Sequence, residues 1–272
     1  MRDYISVSGI TSPEETRELF LNIRHIAMKK FIAQGYNFAH KDLVIGYQFS
    51  HKSIYEGPSN SRQLRIENTY QLMELNQFLG FDAGLHYYTK DFSTIIDDLD
   101  ILLNKNKLSN FVTMLQFNTK TPIDVDILRD IKNEYNQRII FKVPVEEEGV
   151  NIIEKKDYTL DQLVQLVEER GDYIDYAMYD PSHGTGTEMD LNKATAFGKE
   201  MKKLHKNIVL AGGFNPKNIE ASLDRIILEL GQEFSIDAEG GLRDKLGEGY
   251  GNDKFNPDKA GMYLNACIRK LI

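Results

Sequence analysis

Two pairs of adjacent glycines, Gly212-Gly213 and Gly240-Gly241, each follow a short apolar run, Ile208–Ala211 and Phe234–Asp237. Adjacent glycines let a backbone approach a ligand closely, and their successive N–H groups can form a nest for an anion. Two tight turns would use the same residues, so a single pair says little. Groups that bind or move protons follow the other apolar runs: Ser8, the stretch 50–65, His86, Gln116, Lys142, Asp180 to Thr187, and Asp237 to Arg243. No constellation of metal ligands stands out. The only cysteine, Cys267, excludes an internal disulfide and a thiolate zinc cage. No cofactor is expected, and no G-x-G-x-x-G follows the first β-rich run, which counts against a doubly wound open sheet.

The elements that must position these groups alternate along the chain. Tyr4–Val7 is a strand, and Ser12-Pro13-Glu14-Glu15 then opens a helix, with Ser12 as N-cap and Glu15 placed for a capping box. Leu19, Ile23, Ile26, Ala27 and Phe31 follow at helical spacing. Further strands are predicted at Leu43–Phe49, Gly84–Tyr88, Phe111–Phe117, Ile139–Val145, Ile174–Tyr179, Ile208–Ala211 and Phe234–Asp237. An amphipathic stretch follows each one. Thr159 to Gln162 forms a second capping box, and Asn215-Pro216 and Asn256-Pro257 open the last two helices. Eight βα units without a linker-like break predict an α/β protein, a (β/α)₈ TIM barrel spanning residues 1–272 as one domain. A doubly wound open sheet is the competing architecture.

In such a barrel the chemistry sits at the C-terminal strand ends, and the loops after strands seven and eight commonly grip phosphate. Both glycine pairs fall there, so Gly212, Gly213, Gly240 and Gly241 are expected to bind phosphate. The remaining balance is that of a soluble globular protein: 33 basic against 41 acidic side chains, net charge −8, and 41% hydrophobic residues. Net acidity without a basic run argues against nucleic acid. No run of eighteen apolar residues would span a membrane, and the N-terminal stretch lacks the pattern of a signal peptide. The expectation is a cytoplasmic protein acting on a small phosphorylated substrate, its oligomeric state open.

Several segments resemble one known family. Ser6-Val7-Ser8-Gly9-Ile10-Thr11-Ser12-Pro13-Glu14 looks like the K-I-C-G-I-T-x-P-E opening of phosphoribosylanthranilate isomerase. Val209 to Asn218, V-L-A-G-G-F-N-P-K-N, is similar to its L-A-G-G-L-x-P-x-N segment. Asp237 to Leu242 resembles D-V-S-S-G-V, and Tyr179-Asp180 with Gly184-Thr185-Gly186 resembles L-D followed by G-G-T-G. Ile45–Phe49 and Ser61-Arg62 echo G-F-x-F and S-P-R more weakly, and the chain carries additions near 50–60, 146–158 and 243–255.

The resemblance implies an Amadori rearrangement of a phosphoribosyl amine, as in tryptophan biosynthesis. It makes Asp180 the acid that protonates the ribose ring oxygen, with its pKa raised by an apolar strand end. Asp180 could also simply anchor an Asp-Pro-Ser turn. The family's base is a cysteine, and Ser8 stands in its place. A serine hydroxyl does not titrate usefully and needs a base beside it. His86, His183 and Lys142 are candidates for that base; His183 shares a loop with Asp180, though a solvated loop histidine would look the same. By resemblance Arg62 meets a substrate anion, although Arg62 or Arg65 could instead pair with Glu67. Gln116 ends strand four, where Phe117-Asn118 replaces the family's L-H. Asp237 could accept ribose hydroxyls or merely begin a turn, and Glu146-Glu147-Glu148 reads as a solvated loop. Two other readings stay open: a different enzyme acting on a phosphorylated sugar, or a non-catalytic barrel that binds a phospholigand.

Overall fold

The structure, a computed structural model, describes residues 2–33, 41–119, 121–145 and 158–272, without the side chains of 26–33. Ile26, Ala27, Phe31 and the run Glu146-Glu147-Glu148 therefore lie outside what is described. Eight parallel strands close on themselves: β1 (Asp3–Ser8), β2 (Lys41–Ser50), β3 (Asp82–Tyr88), β4 (Val112–Phe117), β5 (Arg138–Lys142), β6 (Tyr176–Tyr179), β7 (Asn207–Ala211) and β8 (Ser235–Ala238). β1 pairs with both β2 and β8, so no strand edge is left unpaired and an open sheet is excluded.

Strand periodicity sorts the side chains. Ile5 and Val7, Ile45 and Tyr47, Leu85 and Tyr87, and Leu210 point outward into one continuous core beneath the helices. The alternate residues Tyr4, Val44, Met114, Ile140, Tyr176, Met178 and Val209 fill the barrel. At the N-terminal end the filling becomes ionic: Arg138 bonds Asp42 at 3.3 Å and the Tyr176 hydroxyl at 3.2 Å. Towards the C-terminal end most of the inward positions turn polar: Ser6, Ser8, Gln48, His86, Gln116, Lys142 and Asp237.

Around the barrel lie α1 (Pro13–Ala33), α2 (His51–Glu56), α3 (Ile66–Phe78), α4 (Ile95–Leu99, continuing as a π-helical turn to Lys105), α5 (Val125–Glu134), α6 (Leu160–Arg170), α7 (Leu191–Lys203), α8 (Ile219–Leu230) and α9 (Pro257–Leu271). Both capping boxes form. The Glu15 amide donates to Ser12 Oγ while Glu15 takes the Ser12 amide, and Thr159 and Gln162 do the same. One expectation is corrected, and two segments take shapes that the pattern did not foresee. The stretch after β2 is not all loop, because Ser50 and Ser53 make their own capping box and start α2. Asn215-Pro216 does not cap α8: the Asn215 side chain closes a turn onto the Lys217 amide, and α8 begins at Ile219. Residues 243–255 form an antiparallel hairpin, β9 (Arg243–Lys245) and β10 (Asp253–Phe255).

Candidate functional site

The polar layer at the C-terminal end of the barrel divides into an ion pair, a hydroxyl–carboxylate–imidazole cluster, a set of glycine turns and a salt-bridge network. Lys142, the last residue of β5, reaches Asp180, the first residue beyond β6. Its Nζ donates to Asp180 Oδ2 at 2.6 Å, and both side chains are about nine-tenths buried. Asp180 Oδ1 takes the Ser182 amide at 3.1 Å and the Ser182 hydroxyl at 2.8 Å, so the turn anchor forms as well. Burial pushes the Asp180 carboxyl up, but the Lys142 ammonium, with His183 and Ser182, outweighs it. The carboxyl ends below its ordinary value. The expected rise is thus reversed: the acid is held ionised by a partner that the resemblance did not supply.

Ser8 and Asp180 both point into the barrel mouth, from β1 and from the end of β6, as the strand register predicts. Ser8 is fully buried, and its hydroxyl donates to Asp237 Oδ1 at 2.9 Å; Ser6 donates to the same oxygen. His86 of β3 leans over Gly46 of the neighbouring β2. A Cβ built on Gly46 would lie 2.6 Å from His86 Cε1 and Nε2 and would also strike Ser8 Oγ, so the bare backbone there makes room for both groups. Burial lifts the Asp237 carboxyl above its ordinary value, against the pull of His86 and the two serine hydroxyls. Burial likewise lowers the His86 imidazole, with Asp237 opposing.

His183 has left-handed backbone, φ +47°, and its Nε2–H donates to the Val145 carbonyl at 3.0 Å. Burial, then the charge of Lys142, brings it down to about 4. A ring that weakly basic, with one nitrogen committed to a carbonyl, is a poor proton acceptor, which corrects its candidacy as base. Gln116 donates to Asn118 at 2.8 Å, while its buried Oε1 has no partner among the described residues.

The glycine turns pack backbone on backbone. Gly212 and Gly213 have φ +127° and +67°. A side chain on Gly213 would run into the Thr187 carbonyl and come within 2.6 Å of Glu188 Cα. A Cβ on Gly240 would lie 2.6 Å from the Gly186 amide, and one on Gly241 2.9 Å from the Phe214 carbonyl carbon. The loops after β6, β7 and β8 thus converge at two places where only glycine fits. The amides of Gly212, Gly213, Gly240 and Gly241 donate to no acceptor among the described residues. Uncommitted N–H groups are what an anion nest requires; Gly212 and Gly213 are themselves buried, and Gly240 to Leu242 form a single 3₁₀ turn.

Arg62 is placed otherwise than expected. Its guanidinium holds Asp253 of β10 with two nitrogens, Nε at 3.2 Å and Nη2 at 2.5 Å. Its Nη1 reaches Glu239 at 2.5 Å and the Gly184 carbonyl at 2.8 Å. The Tyr250 ring lies 4.2 Å from its Cζ. Arg243 adds a second cation on Asp253 at 2.5 Å. Arg62 is therefore neutralised from within, not open to a substrate anion; Arg65 is exposed at the start of α3. Sequence reasoning missed Asp253 and Tyr250 and gave Ser6 no role; Glu239 and Arg243 fell in the stretch it singled out, but not as members of a network with Arg62. The one visible signal for Asp253 and Tyr250 was the extra segment at 243–255.

Among the described residues no group of three metal-ligating side chains comes together, and no helix is long and apolar enough to cross a membrane. The sequence matches no protein-family model, and no curated protein is significantly similar to it. Solved structures are similar in shape. A GH113 β-1,4-mannanase matches with a TM-score of 0.54 at 9% identity, covering 98% of this chain and 99% of its own. The catalytic domain of a chitinase from Pyrococcus furiosus matches at 0.56 and 12% identity, over 99% and 97%. At such identities the likeness is one of fold: the chain is a (β/α)₈ barrel.

Proposed function

We propose that this barrel is an isomerase of the phosphoribosylanthranilate isomerase type, converting a phosphoribosyl aminoaldose to the aminoketose. The observation that carries it is the set of uncommitted glycine amides after β7 and β8, within the same mouth as the Lys142–Asp180 pair and Ser8–Asp237. The amides take the 5-phosphate, which fixes the sugar across the strand ends. The Lys142–Asp180 unit stands where ring-oxygen protonation is needed: the Lys142 ammonium donates to the Asp180 carboxylate at 2.6 Å, so a transferable proton is held at this point of the mouth. Gln116 Oε1, buried and unpartnered, accepts a sugar hydroxyl.

The test is turnover of N-(5′-phosphoribosyl)anthranilate, followed by loss of anthranilate-type fluorescence. Wild type should turn over, and Asp180→Asn should lower the rate by about 10² or more, the scale of acid–base catalysis. One observation favours a second reading. Arg62 is already saturated by Glu239 and Asp253, which suits an aglycone without a carboxylate. If phosphate ligands bind while phosphoribosylanthranilate is inert, a different phosphosugar amine becomes the substrate to seek.

A further inference from the structure

Removing a proton from the sugar carbon beside the amine-bearing carbon needs a base. Ser8 cannot be one, since its hydroxyl is spent on Asp237. Asp237 Oδ1 takes two hydroxyl donors, from Ser6 and Ser8, and both stabilise its charge and lower its appetite for a proton. Neither nitrogen of His86, by contrast, makes a hydrogen bond among the described residues. Its Cε1–Nε2 edge lies in the space that Gly46 leaves beside Ser8 Oγ, where a side chain on that residue would strike both groups.

We propose that His86 is the base of this site, with Asp237 the anion beside it and Ser6 and Ser8 positioning residues that lock that anion in place. The inference rests on the isomerase reading. When the ring oxygen takes a proton, the C1–O bond breaks and the nitrogen lone pair closes a C1=N iminium. His86 takes the C2 proton, the C2–H electron pair becomes C1=C2, and the iminium electrons return to nitrogen. The enaminol then takes a proton at C1 from the imidazolium and gives its hydroxyl proton back to the Lys142–Asp180 unit, which restores the acid and leaves the C2 ketone. The atoms balance, and no oxidant enters. Burial keeps His86 neutral near neutral pH, the form a base needs. The charges facing it come from several sides of the mouth: Asp237 on β8, Glu239 just after it and Asp180 after β6 favour its protonated form, while Lys142 on β5 opposes it. Its neighbours on β2 and β4, Gln48 and Gln116, are neutral.

The experiment compares wild type, His86→Gln, His86→Asn and Asp237→Asn with N-(5′-phosphoribosyl)anthranilate, measuring kcat/KM against pH and the wash-out of deuterium from C2-labelled substrate. Binding of the reduced, non-isomerisable ribitol phosphate is titrated alongside. Both His86 variants should lose at least 10²-fold in rate and in wash-out while binding the ribitol phosphate within about threefold of wild type. That retained binding also shows that they fold. The wild-type acid limb should fall below pH 6.5, the ordinary histidine value. Asp237→Asn should move it lower still, because the anion that favours protonated His86 is gone. An active wild type with His86→Gln within threefold of it, or an acid limb unmoved by Asp237→Asn, overturns the assignment and leaves the isomerase standing. An inert wild type overturns both.

Discussion

Taking away Lys142 would leave Asp180 a buried carboxylate with only Ser182 and His183 beside it. Breaking one side of a buried pair typically costs about 3–5 kcal/mol, because the remaining charge is uncompensated. Lys142→Met should therefore lower the melting temperature strongly at pH 8. The sign of the pH effect follows from Asp180, whose folded carboxyl is depressed. In wild type the pair contributes stability above the unfolded carboxylate value of about 3.9 and loses it as pH falls through the folded value. In the variant, burial alone raises Asp180, so protonation relieves the charge and the deficit should shrink by pH 5. A deficit equal at pH 5 and pH 8 would show that packing, not charge, is what Lys142 supplies. The glycine turns give a second residue-scale expectation. Gly213→Val places a branched side chain at φ +67° against the Thr187 carbonyl, and should weaken a phosphorylated ligand more than tenfold, about 1.4 kcal/mol, by isothermal titration. Affinity unchanged in a folded variant would remove these amides from the phosphate site.

The β9–β10 hairpin is the element that sequence patterning left unseen, and it carries half of the salt-bridge network. Its strands are three residues each, too short for alternation to register, and its buried Asp253 is charged, which leaves Phe255 as the one apolar residue in either strand. What fastens it is one carboxylate shared by two guanidiniums. Burial pushes Asp253 up, but hydrogen bonds from Arg62 and Arg243 hold it below its ordinary value. Its contribution to stability is therefore present above about pH 3.9 and lost as pH falls through the folded value. Asp253→Asn should leave two buried cations underpaired and free the hairpin from Arg62. Limited proteolysis at neutral pH should then cut within 246–252, where Gly247, Gly249 and Gly251 make a cleavable loop, well before the barrel is attacked. Cleavage of wild type and variant at the same rate would mean that Tyr250 and the Ser61 contacts suffice to hold the loop. The contrast with Ser12 and Thr159 is instructive: caps are local in sequence and were legible, whereas Arg62 meets Asp253 across 191 residues, and no spacing rule connects them.

Eight alternations of strand and helix were readable because each barrel strand buries its outward face under a helix and so carries an apolar signature such as Val7, Ile45, Leu85 or Leu210. Closure was less visible, since β1 meets β8 through Ile5, Ser6 and Val7 against Ile236, Asp237 and Ala238, over 230 residues away. The C-terminal helix α9 seals that seam, packing on α1 and β1. Cys267 sits on the inner side of α9, fully buried, and burial pushes its thiol well above its ordinary range. Both properties suppress reaction, because the thiolate is the reactive form and the reagent needs access. A thiol reagent such as Ellman's should thus leave the native protein unlabelled for hours. In denaturant the fraction labelled should follow the loss of secondary structure, since α9 packs on β1 at the β1–β8 seam and is expected to open with it. This single native thiol then reports global unfolding with no engineered probe. The alternative outcome has equally definite content: labelling in native buffer, at a rate insensitive to low denaturant, would mean that α9 detaches as a separate unit with its own small opening energy. The seam would then be held by β1–β8 pairing alone, and Tyr263 and Leu264 would be surface cover, not part of the cooperative core.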